Sequence, residues 1–173
     1  MSTTTLAYIF LGVAVFQRLA ELVYAQRNTK ALLARGAVEV GRNHYPLIVL
    51  LHVAWLVSVL IFLPKPVVIF WPTVVLVCLL QFLRLWTMHT LGPYWTTRII
   101  NMPGAPTIKT GPYRFLRHPN YAVVVLEIAL FPLVFGEVWV AAVFSVLNAA
   151  MLYWRIREED DALASRRLLP DAG

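Results

Sequence analysis

Apolar residues in this chain fall in long blocks instead of alternating with polar ones at a helical or strand period, and each block is long enough to cross roughly 30 Å of hydrocarbon. The first runs from about Leu6 to Tyr24 and passes into a basic amphipathic stretch with Arg27, Lys30 and Arg35, which Gly36 ends. A second block runs from near His44 to Leu63, with Pro46 accommodated in its first turn and Pro64-Lys65-Pro66 closing it. A third covers about Val67 to Leu91, where Pro72 is expected to bend the first turns and Gly92-Pro93 to stop the helix. The fourth (about Asn120 to Phe135) and fifth (Val138 to about Arg157) are joined only by Gly136-Glu137, so they form a tight hairpin whose second helix emerges as RIREEDDALASRR. The predicted fold class is all-α, an integral membrane bundle of about five transmembrane helices. Residues 1–91 carry three helices, and residues 92–173 carry a long polar connection, the hairpin and the tail of a single domain.

Composition strengthens this picture. Of 173 residues 60% are apolar and 14% charged, against roughly 25% charged in soluble domains. Arg27, Lys30, Arg35, Arg42, Arg98, Lys109, Arg114, Arg117, Arg155, Arg157, Arg166 and Arg167 fall on one side of the predicted bundle, and Lys65 alone on the other. The positive-inside rule then places the amino terminus outside and the carboxyl terminus in the cytoplasm of a bacterial cytoplasmic membrane. The net charge of +6 is scattered over short segments and meets membrane lipids, not nucleic acid. The first block lacks a preceding Lys or Arg and a following A-x-A site, so it reads as a retained helix and not a signal peptide. Cys78 is a lone packing thiol, and no His, Cys or carboxylate spacing calls for a metal. Arg18 and Arg84 should face the bundle or reach the interface, and the spans should otherwise hold few buried ionisable groups, which argues against transport.

The connection from Gly92 to Pro119 has too many aromatic and aliphatic residues to stay solvated, so an ordered, functional segment is expected. Its last part, GPYRFLRHPNY from Gly111 to Tyr121, leads straight into helix four. Pro119 keeps His118 out of helical backbone space, which leaves His118 and Arg117 at the mouth of the helix, where unpaired N–H groups favour an anion. Helix five ends on the same side with Glu158, Glu159, Asp160 and Asp161. An anion-binding face and an acidic face thus meet, as a zwitterionic ligand would require. His44, His52 and His89 suit packing or interface positions. The absence of G-x-G-x-x-G and of a P-loop removes the usual soluble means of holding dinucleotides or nucleoside triphosphates.

The order GPY-x-x-x-RHP-x-Y, helical hairpin, acidic pair resembles the isoprenylcysteine carboxyl methyltransferase family in its small prokaryotic form, over about Gly92 to Leu163. VEVGRNHYP, before helix two, resembles a bacterial branch associated with type III polyketide synthases, whose members methylate alkylpyrones or alkylresorcinols. The resemblance implies S-adenosylmethionine as methyl donor, held by Tyr113, Arg117, His118, Pro119, Tyr121 and the acids Glu158 and Glu159. It implies an O-methyltransferase whose acceptor is a lipophilic small molecule or a prenylated substrate: an alkylpyrone or alkylresorcinol hydroxyl, or an isoprenylcysteine-like carboxylate. Longer members continue into an aromatic and arginine-containing tail where this sequence offers Arg166 and Arg167. The acidic run permits two alignments, so the choice between Glu158 and Glu159 stays open. A phenolic acceptor, with a pKa near 10, needs a base, for which His44, Tyr45 and His118 are the candidates. A membrane reductase of the sterol-reductase type, with a similar hairpin but NADPH as cofactor, is the alternative enzyme; a non-catalytic small membrane protein would bind neither.

Overall fold

The computed structural model describes residues 2–42, 45–102, 104 and 108–167, with side chains as far as Glu159. Among these residues five helices dominate: α1 (Thr3–Ala34), α2 (Tyr45–Ile61), α3 (Trp71–Leu91), α4 (Pro119–Leu133) and α5 (Val138–Arg167). They run alternately up and down, so the bundle has a basic end, to which the arginine-rich segments come, and an opposite end carrying Lys65. The helices α1, α3 and α5 are long and apolar enough to cross a membrane, whereas α2 and α4 are apolar but shorter. The 15 residues of α4 span about 22 Å at 1.5 Å per residue, less than the hydrocarbon thickness. Side chains such as Phe16, Phe82, Val146 and Trp139 point outward uncovered, as lipid-facing residues of a membrane helical bundle do.

Several boundaries differ from the sequence reading. Helix α3 starts at Trp71 rather than Val67, because Pro72 occupies its first turn instead of bending its interior. Residues 67–70 run extended across the opposite end, where the Phe70 amide donates to the Val134 carbonyl at 2.9 Å. Ser2 caps α1, its hydroxyl accepting from the Thr5 amide at 3.1 Å. The other end of α1 closes at Gly36, whose φ of 89° lets the Ala37 amide turn back to the Leu32 carbonyl at 3.1 Å. A two-stranded antiparallel sheet that the sequence did not suggest joins β1 (Val38–Val40) to β2 (Ile99–Asn101), with Glu39 opposite Ile100. An Arg98–Glu39 ion pair at 2.5 Å fastens it.

From the opposite end towards the basic end the interior has three layers. First comes an apolar plug in which Phe10, Trp55, Phe131 and Phe135 pack ring against ring, the Phe10 and Phe131 centroids 5.3 Å apart. Next lies an ionic layer. Arg18 reaches Glu21 at 2.7 Å and Glu127 at 2.6 Å, while Arg84 pairs with the same two carboxylates. Gln17 and Gln81 complete the ring by donating to Glu21 and Glu127 respectively. Two cations and two anions cancel, which makes the layer tolerable inside a bilayer. Arg18 and Arg84 thus face the bundle, as expected, but the spans hold more buried charge than expected, because Glu21 and Glu127 are buried with them. Beyond this layer, towards the basic end, the bundle opens into two cavities.

Removing one member of the ionic layer strands a charge. Arg84→Leu should cost about 3–5 kcal/mol of stability, whereas Arg84→Leu combined with Glu127→Leu leaves the neutral Arg18–Glu21 pair and should recover most of that loss; thermal unfolding in detergent reads both. A second expectation concerns Glu137, in the turn between α4 and α5. Its carboxylate is buried without a hydrogen-bond partner among the described residues, and burial pushes its pKa up from the usual 4.5 to about 7. The folded state then holds this proton more tightly than the unfolded state, so stability should fall as pH rises from about 4.5 through about 7. Glu137→Gln should flatten that slope in a pH series of unfolding midpoints.

Candidate active site

The basic end is assembled by backbone and side-chain ties that fix the connection between α3 and α4. Gly92 turns the chain out of α3, and its carbonyl accepts from the Tyr24 hydroxyl at 3.0 Å and from Asn28 Nδ2 at 3.1 Å. Asn28 Nδ2 also donates to the Trp95 carbonyl at 2.9 Å. Two residues of α1 therefore hold Gly92–Trp95 in place. Further on, Gly111 has φ 55°, and a Cβ there would lie 2.4 Å from Thr90 Oγ1, so only glycine lets the Gly111–Arg114 turn dock on the end of α3. Pro119 begins α4 with His118 as its cap. The Tyr121 and Ala122 amides both bond to the His118 carbonyl, so the helix mouth offers the Asn120 amide and not the full turn of free donors expected from the sequence.

The motif side chains converge on α5. Tyr121 donates its hydroxyl hydrogen to Glu159 Oε2 at 2.6 Å and accepts from Arg155 Nε at 2.8 Å. Arg155 Nη2 donates to the Thr97 carbonyl at 2.9 Å, which ties the connection to the hairpin. The His118 ring stacks on Tyr121, centroids 5.1 Å apart, with Nδ1 3.9 Å from Glu159 Oε1. Tyr113 stands nearby with its phenol pushed up to about 12, first by burial and then by the negative charge of Glu159, so it stays neutral at physiological pH.

These groups surround a cavity of about 770 Å³ whose walls include Tyr113, Arg117, His118, Tyr121, Arg155 and Glu159. A second cavity of about 390 Å³ lies against it on the side of the ionic layer, walled by aliphatic residues of α1, α2, α4 and α5 together with Arg18, His52 and Asn148. The two share Trp95, Asn120, Tyr121 and Arg155. The larger chamber carries the charged motif side chains among apolar ones, the smaller is mainly apolar with the ionic layer at its inner end, and they meet at Tyr121 and Arg155.

The structure therefore gathers Tyr113, Arg117, His118, Tyr121 and Glu159 around one cavity, with Pro119 buried at the start of α4 and outside its lining, and it leaves Glu158 out. Glu158 accepts from Trp154 Nε1 at 3.2 Å on its own helix and borders neither cavity. Tyr45 lines the apolar cavity, with its hydroxyl against Thr97 at 3.0 Å and Arg98 stacked 4.3 Å over its ring. His44 lies outside the described residues. His52 shares a 2.8 Å hydrogen bond with the Ile48 carbonyl of its own helix and lines the apolar cavity. Three residues at the junction are not singled out as site residues by the sequence: Arg155 stands there only as a positive charge, Asn120 fills the variable position of RHP-x-Y, and Trp95 belongs to no motif.

The sequence profile of the isoprenylcysteine carboxyl methyltransferase (ICMT) family matches residues 73–165. An uncharacterized protein of Bacillus subtilis strain 168, YpbQ, is 38% identical over 160 residues, covering 90% of this chain and 95% of its own length. An uncharacterized protein of Haemophilus influenzae is 26% identical over 153 residues, covering 85% of this chain and 88% of its own. No solved structure matches the chain significantly. With a profile match that takes in the turn, the RHP motif and both helices of the hairpin, the chain belongs to the isoprenylcysteine carboxyl methyltransferase family of membrane methyltransferases.

Proposed function

We propose that this protein is an S-adenosylmethionine-dependent O-methyltransferase that works at the cytoplasmic face of a bacterial membrane on a lipophilic acceptor. The observation that supports it most is the contact between the two cavities. A charged chamber for a water-soluble donor and an apolar one for a lipid share a wall containing Tyr121 and Arg155. The larger chamber's residues suit the donor. Arg117 and the Asn120 amide at the mouth of α4 match a carboxylate, Glu159 matches an ammonium or ribose hydroxyls, and Tyr113 with the stacked His118–Tyr121 pair offers flat surface for a purine or a sulfonium. When bound, S-adenosylmethionine supplies an electrophilic methyl group for in-line displacement. The protein's own task is then to align the acceptor oxygen and exclude water.

A hydroxyl acceptor must also lose a proton. The Tyr121 hydroxyl, which donates to Glu159 and accepts from Arg155, keeps one lone pair that can take this proton while its own passes to Glu159. Tyr121 and Glu159 thereby join His118, which lines the same chamber, and Tyr45, whose hydroxyl lies against Thr97, as candidate proton acceptors. A carboxylate acceptor, already ionised, would need only positioning beside Arg155. The acceptor classes carried forward are alkylresorcinol or alkylpyrone hydroxyls and an isoprenylcysteine-like carboxylate, all with a tail for the apolar cavity.

Calorimetric titration of detergent-purified protein with S-adenosylmethionine should show binding that falls at least tenfold in His118→Ala and in Glu159→Ala, in line with the loss of one or two charge-assisted contacts. Glu158→Ala should leave it unchanged. A folded wild type that binds NADPH and not S-adenosylmethionine would overturn the proposal in favour of a reductase.

A further inference from the structure

Between the turn that docks on α3 and the first residue of α4 the chain runs Arg114-Phe115-Leu116-Arg117, and all four residues are exposed. Phe115 is 73% exposed and Leu116 46%. Exposure of that order is ordinary on a helix that lipid covers, but these two residues lie outside the helices, at the basic end. Left in water, two neighbouring large apolar side chains forgo the burial that folding normally finds for them.

The backbone holds them there. Gly111 packs on Thr90 in the last turn of α3, Pro112 is buried, and the Pro112 carbonyl accepts from the Phe115 and Leu116 amides, each at 3.1 Å. Pro119, also buried, starts α4 and fixes the other side. The tip is thus mounted on the end of α3, a helix long and apolar enough to cross a membrane. Trp86, one turn before Thr90 on that helix, is exposed, as an aromatic residue near the headgroup level of a bilayer would be.

Charge completes the pattern. Arg114 and Arg117 flank the apolar pair, and neither has an acidic partner among the described residues. The Arg114 guanidinium lies 5.9 Å over the Phe115 ring, so the cation rides on the apolar surface beside it. An apolar tip with unpaired arginines on both sides matches the anionic headgroup layer of a bilayer, where a ring enters the acyl boundary and a guanidinium meets lipid phosphate.

We propose that Arg114, Phe115 and Leu116 form a wedge that enters the lipid surface at the basic end and binds anionic phospholipid. Phe115 and Leu116 lie among the upper acyl carbons, and Arg114 meets the headgroup phosphate. Arg114 also lines the larger cavity, so the wedge holds the rim of that chamber against the membrane. This inference does not depend on the reaction catalysed.

The test places a bimane label on Leu116→Cys in a Cys78→Ser background, which removes the single native cysteine. The full chain is reconstituted in nanodiscs of phosphatidylcholine mixed with phosphatidylglycerol. Lipid carrying a nitroxide near the headgroup should quench the label, and aqueous acrylamide should hardly reach it. Nitroxide on phosphatidylglycerol should quench with an apparent preference of about fivefold over nitroxide on phosphatidylcholine, the effect of one arginine at an anionic surface. Arg114→Gln should bring that preference close to unity, and Phe115→Ser should open the label to acrylamide, both with unfolding midpoints unchanged. In the otherwise unaltered chain, a label quenched by acrylamide and not by nitroxide lipid overturns the inference, because the tip then stands in water. A label shielded from both quenchers overturns it in favour of a protein cover such as a second copy. Equal quenching by the two lipids, or a preference that survives Arg114→Gln, overturns the assignment of Arg114 to an anionic headgroup.

Discussion

Charge inside a bilayer must be paired, and in this bundle Arg18, Glu21, Arg84 and Glu127 do so as a closed set drawn from α1, α3 and α4. Helices in lipid have little hydrophobic drive to associate, so polar cross-links of this kind count for more in fixing which faces meet. The set divides the molecule. On one side aromatic rings fill the interior; on the other the helices stand apart and leave room for ligands. It also holds α1 at a fixed height against its neighbours, which lets Tyr24 and Asn28, further along the same helix, clamp Gly92 and Trp95 at the rim of the cavities.

The same economy of charge governs the site. Arg155 and Glu159 lie one turn apart on α5 and meet on the Tyr121 hydroxyl, so the junction carries a balanced pair next to an apolar chamber. That balance suits a reaction between a cationic donor and an uncharged or singly charged lipid, because neither reactant must approach an unopposed charge of its own sign.

The helices were legible because hydrocarbon imposes a length and a composition that few other constraints mimic. The RHP motif was legible for a local reason, a proline that starts a helix and holds the preceding histidine at its mouth. What the sequence concealed depends on contacts distant along the chain. The pairing of Val38–Val40 with Ile99–Asn101 joins segments that look like loop in isolation. Glu127 reads as one acid in an apolar helix until Arg18 and Arg84 are seen around it. Glu158 and Glu159 are adjacent in sequence, but one position on a helix turns a side chain by about 100°, and only the facing of α5 on α4 shows that Glu159 looks into the chamber. Trp95 gave no signal at all, because a buried tryptophan is ordinary until its N–H is found unmatched.

The most direct test of the account is whether purified protein moves a methyl group from tritiated S-adenosylmethionine into the solvent-extractable lipids of a bacterial membrane. Label should appear in the organic phase as a methyl ether or ester and be abolished by Tyr121→Ala. Label confined to the aqueous phase with a folded, S-adenosylmethionine-binding protein would contradict the assignment of the apolar cavity to a lipid acceptor.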